Sequence, residues 1–386
     1  MVLNFTKHAA YGLLLRLSRS RKGGILNSLV VDFRMHKASG IGTYIKYLLP
    51  FLLEKFEVTL LGKRAEILDY AWSKSVKILE CKSEIYSIKE QLELPLKIPK
   101  CDIFWSPHYN IPILPTRAKF RVVTIHDAFH LAFYNTLNFM QKIYAKTILN
   151  QALSRSDIVL SVSNFSRSEI LKYTKTDKNI FVVPNAIDER RFNHHCDSSI
   201  LEAVARDYGL PKDFVLFVGN VKPHKNLKNL LFALKKMDLN LVIVGKKDGF
   251  ITGDSVISET IRRKNLSDRI FFTGYVKDAD IAAIYNLAKL FVFPSLYEGF
   301  GIPPLEAQAC GCPVVCSDAA SLPEVCGDSV AYFDPYSVED TRDKIQMVLN
   351  DENLQNELRA KGFENVKRFS WERSAKQIIE IMENLQ

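Results

Sequence analysis

Two glutamates, Glu298 and Glu306, bracket seven residues in SLYEGFGIPPLEAQACGCPVVCSD, residues 295–318. Between them lie Gly299, Phe300, Gly301 and Ile302, followed by Pro303, Pro304 and Leu305. The glycines permit a sharp turn or a close backbone approach. The prolines suit the first turn of a helix, where a missing N–H costs nothing. The pattern therefore predicts a loop that offers the N–H groups of residues 299–302 at a helix N-terminus, an arrangement that binds anions and phosphate above all. A carboxylate repels phosphate, so Glu298 and Glu306 fit neutral donors such as the vicinal hydroxyls of a sugar or ribose. A molecule carrying both phosphate and hydroxyl-rich rings is a nucleotide sugar. The spacing also allows a plainer reading, with Glu298 capping the loop and Glu306 a first-turn acid facing the helix dipole.

Such a loop needs a frame. From Ser28 the chain alternates short β-branched runs with helical patterns, such as 41–55 and 138–154. The runs LVVDF (29–33), EVTLL (57–61), DIFW (102–105), RVVTI (121–125), DIVLSV (157–162) and IFVVP (180–184) read as buried parallel strands. A second series starts at FVLFVG (214–219) and continues through 239–245, 269–274, 290–295, 313–317 and 330–334. Two such series predict an α/β chain of two Rossmann-like, doubly wound parallel-sheet domains facing across a cleft. The expected boundaries are 28–190 and 200–368, with a polar joint between them. Residues 369–386 form an amphipathic helix capped by Ser370, expected to cross back to the first domain.

With 386 residues, 47% hydrophobic and 25% charged, the chain reads as globular and large enough for two cores. No apolar run reaches the length of a membrane span. Seven cysteines scattered through apolar context read as reduced core residues of a cytoplasmic protein. Their spacing, Cys310, Cys312, Cys316 and Cys326, does not suit zinc, and no metal site is expected. Of the net charge of +9, five units fall in residues 1–27, which hold no acid. That segment reads either as a basic anchor on the anionic inner face of the plasma membrane or as a solvated extension. No nucleic-acid motif accompanies the positive charge, so nucleic acid is not an expected partner.

The stretch 298–306 resembles the signature of the retaining glycosyltransferases of family four, which have the GT-B fold. So do SGIGTY (39–44), TIHDAFHL (124–131), SVSNFSRSEI (161–170), VVPNAID (182–188), FVGNVKPHKNL (217–227) and FSWERSA (369–375), in matching order. The resemblance implies donor contacts. Lys225 would neutralise the diphosphate, Gly40 and Gly42 would admit it closely, and Glu306 would hold the ribose diol. Glu298 would hold the hydroxyls of the transferred sugar, and Gly245, Tyr275 and Val276 would line the base pocket. His126 would touch the transferred sugar, with Asp127 beside it as neighbour or acceptor-side group. His108 and Asn110 are further acceptor-side candidates at another strand end. Where many family members carry arginine, this chain has Asn220, which leaves the second diphosphate contact open.

The resemblance implies retaining, metal-independent transfer of a hexose without a cofactor beyond the nucleotide sugar itself. GFGIPPLEAQACG and KPHKNL look closest to bacterial mannosyltransferases of surface polysaccharide synthesis, which points to GDP-mannose as donor and a lipid-linked saccharide as acceptor. The alternatives are a UDP-sugar-dependent transferase or epimerase of the same fold, and a non-catalytic nucleotide-sugar-binding protein.

Overall fold

A computed structural model describes residues 27–134, 137–245, 255–263 and 266–385. Of the basic segment expected as an anchor, residues 1–27, all but Asn27 lie outside them. Tertiary contacts divide the chain into two units, one reaching to Asn185 and resuming at Trp371, the other spanning Ala186–Ser370.

The first unit is built on seven strands: β1 (Ser28–Asp32), β2 (Glu57–Gly62), β3 (Lys77–Glu80), β4 (Cys101–Ser106), β5 (Ala118–Ile125), β6 (Ile158–Ser161) and β7 (Ile180–Val182). Their order is β3-β2-β1-β4-β5-β6-β7, and every pairing is parallel. Strands such as β1, whose Leu29, Val30 and Val31 are all buried, carry apolar residues on both faces because helices cover both. β3 was not among the expected strands. It is a four-residue edge strand, Lys-Ile-Leu-Glu, with one fully buried position, so its apolar signal is too short to read from the sequence.

The C-terminal helix Trp371–Glu383 completes this unit. Trp371, Ala375, Ile378 and Met382 recur at helical spacing and are buried. Trp371 stacks on Tyr47 of the helix Ser39–Leu52 at 5.5 Å, and the Ser374 hydroxyl donates to the Pro184 carbonyl at 2.7 Å.

The second unit holds β8 (Phe214–Val218), β9 (Asn240–Val244), β10 (Ile270–Gly274), β11 (Leu290–Phe293), β12 (Val314–Ser317) and β13 (Ala331–Phe333). The order is β10-β9-β8-β11-β12-β13, again all parallel. In both sheets the order reverses once, between β1 and β4 and between β8 and β11. Open α/β sheets bind ligands outside the carboxyl ends of the strands at such a reversal.

Candidate functional site

In the second unit the reversal lies between β8 and β11, and the segments leaving those two strands meet. After β8 the chain makes a 3-10 turn, Pro223–Lys225, and enters the helix Leu227–Leu234. Asn226 joins them at φ +55°, a left-handed conformation that asparagine tolerates, and its side chain donates to the Pro335 carbonyl at 2.8 Å. This bend turns Lys225 back over the sheet edge. Its Nζ sits 2.5 Å from Glu298 Oε1, in the loop leaving β11, and 5.5 Å from the centre of the Phe293 ring. The pair is screened but not sealed, with side-chain exposures of 18% for Lys225 and 13% for Glu298. His224, beside it, has its imidazole pushed down to about 4 by burial and by the Lys225 charge, so it is neutral at physiological pH.

The loop itself ends at Gly301, whose φ of +102° is open only to glycine, and the helix Ile302–Ala309 starts there. Pro303 and Pro304 carry no N–H, so the first-turn donors of this helix reduce to Gly301 and Ile302. Ser321 braces the loop: its hydroxyl lies 2.9 Å from the Glu298 carbonyl and 2.7 Å from that of Phe300. The residue before it, Ala320, is held at φ +59°, a strained conformation for alanine that orients Ser321 towards the loop. Nothing in the spacing of the sequence marks Ser321, because its partners lie more than twenty residues upstream.

Glu306 lies one turn into the helix. Tyr285, fully buried on Ile281–Leu287, donates to its Oε2 at 2.9 Å. Burial raises the Glu306 carboxyl to about 7, against the opposing effects of the Tyr285 hydrogen bond and the Arg191 charge. Tyr285 and Arg191 were not among the expected site residues; they come from separate elements, and only the folded chain brings them to Glu306.

Along the same edge, the ends of β8, β9 and β10 align. Gly245 bridges Gly274, and a Cβ on Gly245 would fall 2.7 Å from the Gly219 carbonyl oxygen. Packing within the chain therefore already accounts for glycine at 245. Tyr275 follows at 70% exposure, Val276 is half-buried, and Asn220 is exposed.

The first unit presents a different set. Gly40 and Gly42 lie in the first turns of the helix Ser39–Leu52. A side chain at Gly40 would meet open space, whereas one at Gly42 would clash with the His36 carbonyl oxygen. Gly42 is thus explained by close packing, and Gly40 alone leaves room above the backbone. His126 follows β5. Its Nε2 donates to the Pro107 carbonyl at 2.9 Å, and Tyr44 meets the ring edge-on at 5.0 Å. Burial lowers its basicity, so the ring is neutral, with Nδ1 as its acceptor nitrogen. Asp127 accepts the Phe129 N–H at 2.9 Å and starts the short helix Phe129–Ala132.

His108 and Asn110 turn inward. His108 Nε2 lies 3.1 Å from Asp32 Oδ2; Asn110 donates to Glu90 at 2.6 Å and accepts from Tyr144 at 2.5 Å. Arg34 joins the set with 2.7 Å to Asp32 and 2.8 Å to Glu90. Both residues take part in this buried network.

Among the described residues, no group of three or more His, Cys, Asp or Glu is placed to hold a metal ion.

Comparison with known proteins follows the same division. Residues 38–191 match the family described as Glycosyltransferase Family 4, and residues 205–368 match Glycosyl transferases group 1. The O-antigen chain mannosyltransferase B of Escherichia coli is 31% identical over 285 residues, covering 72% of this chain and 73% of that protein. The serotype-specific mannosyltransferase WbdA of Escherichia coli is 33% identical over 235 residues, which is 58% of this chain but 28% of that longer protein. Sucrose-phosphate synthase from Thermosynechococcus elongatus superposes with a TM-score of 0.77 at 19% identity, over 93% of this chain and 99% of that structure. Anabaena HepE, solved with UDP and glucose, gives 0.75 at 18%, over 93% and 99%. At these identities the structural likeness shows the fold alone.

Proposed function

Because the chain belongs to the group 1 glycosyltransferases of family four, we propose that it transfers a hexose from a nucleotide sugar in surface polysaccharide synthesis. The donor proposed is GDP-mannose, the acceptor a lipid-linked saccharide, and the transfer is retaining and metal-independent. One observation carries the reading: the Lys225–Glu298 pair stands at the reversal of the second sheet, beside the N-terminus of Ile302–Ala309. The mannosyltransferase names of the relatives support the choice of sugar.

The arrangement suits a leaving diphosphate. Lys225 would exchange the Glu298 carboxylate for phosphate oxygens. The N-terminal end of the helix adds roughly half a positive charge, concentrated near Gly301 and Ile302. Both act where negative charge develops as the glycosidic bond breaks, which is how fixed donors accelerate such steps. Glu298, released from the lysine, would accept from hydroxyls of the transferred sugar, and Glu306 from the ribose diol. In the first unit, the neutral His126 offers Nδ1 as an acceptor for a sugar hydroxyl.

Thermal unfolding against GDP, UDP, ADP and TDP, each with and without EDTA, tests the reading. A ligand at 100 times its dissociation constant stabilises the fold by about 2.7 kcal/mol. A shift selective for GDP that survives EDTA, followed by an α-linked product from GDP-α-mannose, is the expected result. A UDP-selective shift overturns the mannosyl assignment, donor breakdown without an acceptor favours an epimerase, and no shift with any nucleotide overturns the donor site.

A further inference from the structure

Glu306 is held from one side. Its Oε2 accepts from the Tyr285 hydroxyl at 2.9 Å, and no second donor reaches the carboxylate among the described residues. The side chain is half-buried, and Oε1 is left to accept. The hydroxyl that holds Oε2 has a fixed place. Tyr285 is fully buried on Ile281–Leu287, and its ring meets Phe192 edge-on at 6.1 Å and Phe291 at 5.5 Å. A ring packed on two sides keeps one rotamer, so its hydroxyl keeps one position. Burial and the Glu306 charge also push this hydroxyl well above the ordinary tyrosine range. It therefore stays protonated and donates at every working pH.

The other charges around Glu306 act without bonding to it. The Arg191 guanidinium lies over the Phe192 ring at 4.8 Å and 3.6 Å from Asp278, and no hydrogen bond joins it to Glu306. Its charge favours the ionised carboxyl, and that of Asp278 opposes it. Cys310 and Cys312 also face Tyr285 and are kept as neutral thiols by burial. Direction at Glu306 thus comes from Tyr285, and only charge from Arg191. A carboxylate free to turn would meet whatever donor arrives. One pinned through Oε2 offers its open oxygen in a fixed direction, and a missing hydroxyl then leaves a charged acceptor unmet.

Building on the reading that Glu306 meets the ribose, we propose that Tyr285 is a positioning residue that makes this site select ribose over 2′-deoxyribose. It fixes Oε2 of Glu306 and so aims Oε1 at the sugar diol.

Calorimetric titration of the full chain with GDP and UDP, each beside its 2′-deoxy counterpart, tests it. Wild type should favour the ribonucleotide by about 10- to 100-fold, the effect of one hydrogen bond to a charged group left unmade. Tyr285→Phe should bring that preference within about threefold, since the open oxygen is no longer aimed. The pH midpoint of its ribonucleotide affinity should also rise above that of wild type, because Tyr285 opposes the effect of burial on Glu306. Raising the pH to about 9 should restore the charge but not the preference. Arg191→Gln should raise the midpoint too, yet keep the preference once the carboxyl is ionised. Glu306→Asp, which draws the carboxyl away from an intact Tyr285, should lose the preference as Tyr285→Phe does. Unchanged thermal unfolding of the variants shows that they fold. A preference that survives Tyr285→Phe, or returns at high pH, overturns the positioning role and leaves the ribose contact standing. Equal binding of ribo- and 2′-deoxyribonucleotides by wild type overturns the proposal while the donor site stands. No binding of any nucleotide overturns the donor site itself.

Discussion

The two sheets share a topology and reverse at the same kind of point, yet their charges there are handled in opposite ways. At β1 and β4, Asp32, Glu90, Arg34, His108 and Asn110 are buried and bonded to one another. Despite its burial, Asp32 is held well below the usual carboxylate range by Arg34 and His108. Such a network is complete without a ligand. At β8 and β11, Lys225 and Glu298 form a single partly exposed ion pair, and Glu306 is held by Tyr285 through one oxygen. Those groups have spare capacity. A charge at a ligand-binding edge signals a site only where its partners leave something unmet.

The sharpest way to break this contrast is to remove the central charge on each side. Arg34→Ala removes the cation shared by two buried carboxylates and should destabilise by about 3–5 kcal/mol. For a protein of this size that lowers the midpoint by on the order of 10 °C in a thermal melt. A melt within two or three degrees of wild type would mean the network is not closed. Lys225→Ala should do the reverse. Its thermal midpoint should stay close to wild type, because partly exposed ion pairs contribute about 0–1 kcal/mol. Its turnover should fall by about 10²–10³-fold, the usual effect of losing a donor aimed at developing charge. Intact turnover would remove Lys225 from the diphosphate.

A smaller effect sharpens the second site. With Glu306 raised to about 7, the carboxylate that would accept from the ribose diol is lost as pH falls through 7. Nucleotide affinity should weaken about tenfold between pH 8 and pH 6, one decade per unit below the midpoint. The unliganded fold should behave oppositely. Its Glu306 keeps a proton that the unfolded chain releases near 4.5, so its contribution to stability falls as pH rises from 4.5 to 7. Calorimetric titration of wild type against Glu306→Gln separates this from the ligand's own phosphate titration. Equal pH dependence in both would take Glu306 out of the ribose contact.

Much of the frame was readable from residue order. Strands buried on both faces are near-continuous apolar runs, and residues 214–218 or 290–293 could hardly be anything else. The glycine-proline loop at 299–304 announced its own turn, because φ preferences act within a few residues. β3 escaped because only one of its four residues, at a sheet edge, is buried. The partner of His108 escaped for a different reason. At a strand end it looked like an acceptor group, and only the fold shows it bonded to Asp32, seventy-six residues upstream.

The sequence by itself determined the two series of parallel strands, the anion-suited turn before Ile302–Ala309 and the presence of Glu298, Glu306 and Lys225. These follow from local backbone preference and from the apolar periodicity that burial demands. Only the tertiary structure decided which charges are spent internally and which are not. It set Lys225 against Glu298 across 73 residues, placed Tyr285 on Glu306 and closed Arg34 between Asp32 and Glu90. Burial and pairing belong to neighbours in space, and in a doubly wound sheet those neighbours come from strands far apart in the chain.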